Sequence, residues 1–427
     1  MKKNKMKLVV LVLAFLSGIG VFYSCGGSDS PIDPPLEEEE PEEEEEEFFI
    51  DENKTFIHPG LLHSREDLNR IKEKVAANEA PWIDGWNKLI ANSHASLNYN
   101  PNPTAKLIRG GNSREEPEAD NYSRAMNDVA AAYQLAIRWK ISGETAYADK
   151  AVQILNAWAS TCKEITGNSN KALGAGIYGY QFANAAEILR DYDGWTAADF
   201  LAYKKWMLDV FYPVSKEFLE THWNTCITHY WANWDLCNLA NLMAIGVLTD
   251  DASIYNEAIA YLVDDNDAKG NGQIKKTVYY IHTDGLGQLQ ESGRDQGHAL
   301  LCVGFLGEIC EMAWTQGDDL YGFDDNRVLK GAEYAARYNF NLGSVYFEPY
   351  NNCDNVNHSV ISDVGRGGSR PIWEVLYNHY VKRKNLAAPN VEIAARLHRP
   401  EGGGGDYGPN SGGFDSLGFG TLLFSLD

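Results

Sequence analysis

The sequence predicts an all-α chain folded as an α/α toroid, an incomplete barrel of antiparallel helix hairpins. Three observations lead there. Apolar residues recur at helical spacing almost throughout from Phe56 onward, the segments between these runs are short and rich in Gly, Asn and Asp, and no linker interrupts residues 55–400. A chain of 427 residues, 44% of them hydrophobic, is long enough for a large core, and barrels and toroids of this size form single units. No 34-residue repeat with the usual signature residues is present, which disfavours a plain solenoid.

In chain order, Lys2, Lys3, Lys5 and Lys7 precede the apolar run Leu8 to Val21, the pattern of a secretory signal over residues 1–24 rather than of a membrane span. The segment Val21-Phe22-Tyr23-Ser24-Cys25-Gly26 resembles a bacterial lipobox, with Cys25 as the lipidated residue and Tyr23 standing where a small residue is usual. Residues 25–54 read as an acidic tether, with ten Glu interrupted by Pro41, a like-charge block that stays solvated. Acidic residues behind a lipidated cysteine resemble the surface-export signals of Bacteroidetes lipoproteins. The expected location is therefore the cell envelope, periplasmic or on the outer-membrane surface, with the lipid at Cys25 as the one membrane contact.

Residues 55–427 form the predicted toroid. Ser64 and Asp67 make a capping box ahead of Leu68, Ile71 and Val75. Met126, Val129, Ala130, Tyr133 and Ile137 share one helical face, as do Tyr147, Ala151, Ile154, Leu155 and Trp158. Phe200 to Val214 and Leu236 to Val247 mark two more, and further helices are expected at 252–263, 296–315, 326–340 and 371–382. The glycine-rich stretch Gly402–Gly413 reads as a loop, and Leu417–Leu426 as a last apolar element closing the domain.

The formal charge of −23 argues against non-specific nucleic-acid binding, which needs a basic surface. It does not forbid an anionic ligand in a locally basic cleft. The acidity is not confined to the tether, since the chain beyond residue 47 keeps 48 acidic against 33 basic residues. Eleven Trp and 23 Tyr exceed what a core of this size needs, and stacking platforms for a sugar or a base are one use for the surplus. After Cys25 six cysteines remain, none in a CxxC pair, so a zinc ribbon or thioredoxin site is not indicated; most are expected as buried thiols.

Four polar-aromatic stretches break the amphipathic pattern: His229-Tyr230-Trp231-Ala232-Asn233-Trp234-Asp235, Gln290 to His298, Tyr346 to Asn352 continuing to Asn357-His358, and Gly365-Arg366-Gly367-Gly368-Ser369-Arg370. On a helix Arg294 and His298, four apart, share a face. Asn, Arg, His and Tyr are the set needed to remove a proton α to a carboxylate. An amide and a guanidinium neutralise the carboxylate and stabilise the aci-carboxylate intermediate. A neutral imidazole takes the proton and a phenol protonates the leaving glycosidic oxygen. No metal and no cofactor is required.

With these residues the sequence resembles the alginate lyase superfamily of polysaccharide lyases, α/α toroids that cleave uronic-acid polymers by β-elimination. The resemblance is strongest at 56–80, where His58-Pro59-Gly60 precedes a capped helix, and at 229–240 and 284–301. It implies that Asn233 matches the Asn of an Asn-His pair opening a helix, with Trp234 in place of the His. It also implies that Glu291 and Arg294 match a Glu-x-x-Arg run, with Leu301 where the family carries its catalytic Tyr. The expected catalytic set is then His298 as base, Tyr350 as acid (Tyr346 is its alternative), and Arg294 and Asn233 on the carboxylate. His229, Tyr230, Trp234, Gln290, Tyr346, His358, Arg366 and Arg370 are expected to bind substrate. The implied partner is an anionic polysaccharide, alginate first and glucuronan or a glycosaminoglycan next.

Each residue also has a plainer use: Asn233 as a helix cap, Arg294 in an ion pair with Glu291 or Asp295, His298 and Tyr350 in the core. Two other functions stay open. An α/α-toroid glycoside hydrolase of the unsaturated glucuronyl type needs two acids across the cleft, for which Asp284, Glu291, Asp295 and Glu348 are available. A non-catalytic glycan-binding lipoprotein shares the anchor and the aromatic richness.

Overall fold

The helices sort into two layers by how many of their faces they bury. The computed structural model describes residue 48 and residues 50–266, 269–408 and 413–427. The expected signal segment, Cys25 and most of the acidic tether lie outside the described residues. Residues from Phe48 form one unit with the toroid: Phe48 meets Phe323, and Lys54 pairs with Asp318 at 2.8 Å. The end of the expected tether is thus part of the folded unit, because an apolar and a basic residue there find partners on it.

The chain runs through α1 (Arg65–Ala76), α2 (Trp82–Ala91), α3 (Ser123–Ser142), α4 (Thr145–Thr161), α5 (Lys171–Ile188), α6 (Ala197–Trp206), α7 (Tyr212–Thr221), α8 (Ala232–Thr249), α9 (Ala252–Val263), the single turn α10 (Ile274–Thr277), α11 (Gln296–Thr315), α12 (Phe323–Asn339), α13 (Trp373–Tyr377), α14 (Pro389–His398) and α15 (Gly420–Leu423). The spans expected at 252–263 and 296–315 are α9 and α11. A π-helical stretch, Met207–Phe211, joins α6 to α7, and another, Asn378–Arg383, extends α13. The Ser64–Asp67 capping box at the start of α1 is formed on both sides. Among the described residues no helix is long and apolar enough to cross a membrane.

Helices α5, α8 and α11 are buried on nearly every face, as interior helices must be, while α1, α4, α9 and α14 bury one stripe. The inner helices pack in the order α3, α5, α8, α11, α13, and α15 against α2 with α1 against α3 closes the ring. The α5–α8 contact is the most extensive and needs glycine: a Cβ at Gly176 would stand 2.8 Å from the Cys237 backbone. This all-helical ring is the toroid that the sequence predicts.

The inner helices α3, α5, α8 and α11 all begin at one end. The parallel pair β1 (Lys106–Ile108) and β2 (Glu164–Thr166) ties the approaches to α3 and α5 together. Gln290, just after the antiparallel pair β3 (Val278–Ile281) and β4 (Gly287–Leu289), accepts the Ala232 N–H at the head of α8 and so brings the approach to α11 beside it. The four polar-aromatic stretches lie on this mouth. At the far end His58 bridges Glu187 and Asp250, near the ends of α5 and α8.

Glu308 of α11 is one of several buried ionisable groups. Burial pushes the Glu308 carboxyl up to about 8, the bonds with Tyr180 and Ser416 offsetting only part of it. A carboxyl raised in the folded state stabilises the fold fully below its unfolded value of ~4.3 and loses that contribution as pH rises through the folded value. Urea unfolding of the wild type between pH 5 and pH 9 is expected to show this loss, on the order of a few kcal/mol. Glu308→Gln is expected to flatten it. The same slope in both proteins would show that Glu308 is already ionised when folded.

Candidate active site

A buried carboxylate organises the mouth. Glu291 lies on a single 3₁₀ turn, Gln290–Gly293, and is inaccessible to solvent. One of its oxygens accepts the backbone N–H of Asn233 at 3.0 Å and the Asn233 side-chain amide. The other accepts Arg294 Nη1 at 2.9 Å, and the Cys302 thiol donates to the group at 3.5 Å. Trp231, the N-cap of α8, offers no capping atom, so Gln290 and Glu291 supply the acceptors for the helix's first N–H groups. Asn233 is 2% exposed with its amide turned onto Glu291, and Gln290 is equally engaged. Arg294, anchored from below, keeps 29% of its side chain exposed.

Arg294 and His298 do not share a helix. Asp295 is extended, with φ −167° and ψ 161°, and caps α11 by accepting the His298 N–H at 2.8 Å. The capping carboxylate also takes His298 Nδ1 at 2.6 Å. Burial raises the Asp295 carboxyl, but the bonds from His298 and the charge of Arg294 outweigh it and hold it below the usual range. Among the described residues no partner meets His298 Nε2, and its side chain is 37% exposed.

Over this floor lies a two-stranded hairpin, β5 (Tyr350–Asn351) with β6 (Asn357–His358), in which Tyr350 pairs with His358. Gly293 makes room for it, since a Cβ there would stand 2.6 Å from His358 Cβ. The Tyr350 and His358 rings are 5.2 Å apart, and Trp231 lies 5.2 Å from His358 and 6.2 Å from Tyr350. Among the described residues the Tyr350 hydroxyl and His358 Nε2 are enclosed without a hydrogen-bond partner. Burial and the Glu291 charge push the Tyr350 phenol well above its ordinary value, and burial pushes the His358 imidazole down, so both are neutral at neutral pH.

The turn of the hairpin is fastened to the approach to α8. Cys226 and Cys353 form a disulfide, Cys353 N–H donates to Thr228 Oγ1 at 2.8 Å, and Asp354 holds His229 Nδ1 at 2.7 Å. The other described cysteines, 162, 237, 302 and 310, are buried thiols. Cys226, Cys353 and Asp354 form the one cluster of metal-ligand spacing among the described residues, but its two thiols are spent in the disulfide.

The structure therefore brings Asn233, Arg294, Tyr350, His358 and His229 into one connected network. Tyr230 is buried against His229 and Trp234 at 4.7 and 4.8 Å between rings. Tyr346 is 64% exposed beside His282. Arg366 lies 4.0 Å over the Tyr338 ring and pairs with Asp363, while Arg370 pairs with Asp415 at 2.9 Å. Sequence reasoning missed Arg109, which donates to the Tyr178 hydroxyl at 3.0 Å, lies 4.9 Å over Tyr122 and feels the charge of Asp415. Its signal was present: Arg109-Gly110-Gly111 repeats the Arg-Gly-Gly pattern of residues 366–368.

The alginate lyase family model matches residues 72–342. No curated protein matches the chain in sequence. Among solved structures, alginate lyase A1-III from Sphingomonas species A1 is similar at 14% identity, with a TM-score of 0.59 over 87% of this chain and 98% of that one. An alginate lyase from Bacteroides ovatus is similar at 14% identity, with a TM-score of 0.58 over 87% of this chain and all of that one. A histidine-to-alanine variant of A1-III complexed with a tetrasaccharide gives 15% identity and a TM-score of 0.57, over 90% and 98% of the two chains. At such identities the likeness is one of fold.

The hairpin has little core of its own, so its covalent tie is expected to matter. Replacing Cys226 and Cys353 together by Ser is expected to cost about 2–5 kcal/mol of stability, measured by denaturant unfolding. Limited proteolysis is expected to cut within residues 344–360 first. Unchanged stability and cleavage would show that the Asp354–His229 and Thr228 contacts hold the hairpin alone.

Proposed function

The chain belongs to the alginate lyase family, and on that premise we propose that this polysaccharide lyase cleaves a uronic-acid polymer, alginate first and glucuronan next, by β-elimination at the mouth of the toroid. The observation that carries the reading is buried Glu291, which holds Arg294 and whose charge acts on the enclosed Tyr350, with His229 tied to the hairpin that carries Tyr350.

Arg294 receives the substrate carboxylate and stabilises the charge that builds on it as the neighbouring C–H bond breaks. Asn233 acts through Glu291 and is a positioning residue, since its amide is already engaged there. His229 takes the proton on Nε2 while Asp354 fixes its Nδ1. The electron pair of that C–H bond forms the new C=C bond, the glycosidic C–O bond opens, and Tyr350, neutral in its enclosed setting, protonates the leaving oxygen. His229 is preferred to His298 because the family's histidine belongs to the opening of the helix that starts here at Ala232, and His229 lies on that lead-in. His298 offers the same carboxylate–imidazole pairing through Asp295 and is the second reading.

Secretion as an envelope lipoprotein anchored at Cys25 completes the proposal. The Cys226–Cys353 disulfide supports it, because such bonds persist in oxidising compartments.

The test is ultraviolet absorbance of the conjugated unsaturated uronate during incubation with polymannuronate, polyguluronate, glucuronan, hyaluronan and a chondroitin. A rise on at least one uronate polymer is expected. Arg294→Ala, Tyr350→Phe and His229→Ala are each expected to lower kcat by about 10²-fold or more, and His298→Ala by less than about tenfold. Loss in His298→Ala but not in His229→Ala would move the base to His298. New reducing ends without absorbance would replace the lyase by a hydrolase, and binding without product by a glycan-binding protein.

A further inference from the structure

Before α8 the chain makes a tight left-handed turn in which His222, Trp223 and Asn224 have φ of 42°, 53° and 59°. A tryptophan in this region is strained, and the turn persists because His222 is buried with Nε2 on Asp235 at 2.9 Å. The result is that Trp223 joins the wall of a cleft of about 590 Å³, opposite the approach to α5. Lys171, the first residue of α5, lines the same cleft and holds its ammonium 4.3 Å from the centre of the Trp223 ring. Among the described residues Lys171 has no carboxylate partner. The Trp223 indole N–H is enclosed without an acceptor.

This cleft continues the site described above. Ser169 on its wall lies beside the Tyr230 hydroxyl, and Tyr230 packs edge-on against His229 at 4.7 Å. Gly167, also on the wall, abuts the backbone carbonyl of Arg109.

We propose that the cleft is a distal subsite for a further uronate residue of the bound polymer, with Trp223 as its stacking platform and Lys171 as its carboxylate partner. The inference rests on the uronate reading given above. A sugar ring takes the face of the indole now covered by Lys171, and the ammonium moves to the uronate carboxylate, exchanging a cation–π contact for a charge-assisted hydrogen bond. Of the two carboxylates on the cleft's wall, Glu116 is engaged by Thr166 at 2.7 Å and by the Glu118 N–H at 3.0 Å and lies 3.5 Å from Lys106, and Glu115 lies 3.8 Å from Arg114, so neither is paired with Lys171.

The experiment is calorimetric titration of the full chain with oligomannuronates, oligoguluronates and oligoglucuronates of two and six residues. It is run in a Tyr350→Phe background to stop turnover, and beside steady-state absorbance assays of the Trp223→Ala and Lys171→Met single variants. Each of these two substitutions is expected to weaken hexamer binding about tenfold (~1.4 kcal/mol) and leave dimer binding unchanged. Each is also expected to raise KM for polymer with kcat nearly constant. Neutral gluco-oligosaccharides are expected to bind no better to wild type than to either variant. Where Trp223→Ala fails to fold, Lys171→Met decides alone. Unchanged hexamer affinity in a folded variant overturns the subsite, and if the wild type still forms unsaturated product the lyase reading survives it. Weakened hexamer binding without any unsaturated product supports the subsite and overturns the lyase. No oligouronate binding by the wild type overturns the subsite.

Discussion

The Glu291 carboxylate is the constraint on which the mouth of the toroid depends. A buried charge is tolerated only when its lone pairs are filled, and here the backbone and amide of Asn233, the Arg294 guanidinium and the Cys302 thiol fill them. Those donors come from the head of α8, the approach to α11 and α11 itself. One side chain thereby sets the spacing of two inner helices and aims the guanidinium that meets the cleft. Gln290 repeats the device one residue earlier by accepting from Ala232. The carboxylate that caps α8 is the one that holds Arg294.

The hairpin answers a different problem. Residues 344–371 contain no helix and expose apolar side chains such as Val356, Val360 and Val364, so packing alone gives them little reason to stay in place. Their order comes from cross-links: the disulfide, the Asp354–His229 pair, Ser362 N–H on Ser292 O at 2.9 Å and Gln296 N–H on Val364 O at 2.7 Å. All of these end on the approaches to α8 and α11. The hairpin's Tyr350 and the floor's Arg294 are consequently referred to one frame.

Much of the fold was legible because the signals that define helices are local. The capping box at Ser64, the apolar period of α3 and α4 and the full spans of α9 and α11 follow from short-range sequence. The site was legible as four stretches but not as a geometry. Reading Arg294 and His298 as neighbours on a helix failed because Asp295 caps α11 in an extended conformation, which puts Arg294 outside that helix. Asn233 proved to be engaged by a residue 58 positions away, which no local pattern reveals. The pairing of Cys226 with Cys353 spans 127 residues and was equally hidden. Arg109 and Trp223 were overlooked because each lies outside the four stretches, and only the ring closure brings them to the mouth.

A formal charge of −23 is at odds with the uronate polymer proposed as substrate until charge is followed locally. At the mouth Arg294, Arg366 and Arg370 are each paired with a carboxylate, Glu291, Asp363 and Asp415 respectively. These pairs hold the guanidiniums in place and nearly cancel their field. What remains uncancelled is the heads of α3 and α5, whose N-cap residues supply no side-chain acceptor, together with Arg109 and Lys171. Attraction of this kind is short in range, since a helix-end charge fades within a turn and salt screens beyond ~10 Å. The acidic exterior therefore offers the polymer nothing to adsorb to, and its carboxylates gain only where the mouth's donors are within bonding distance. On the proposed reading, an acidic surface with a locally donor-rich mouth confines an anionic chain to that mouth.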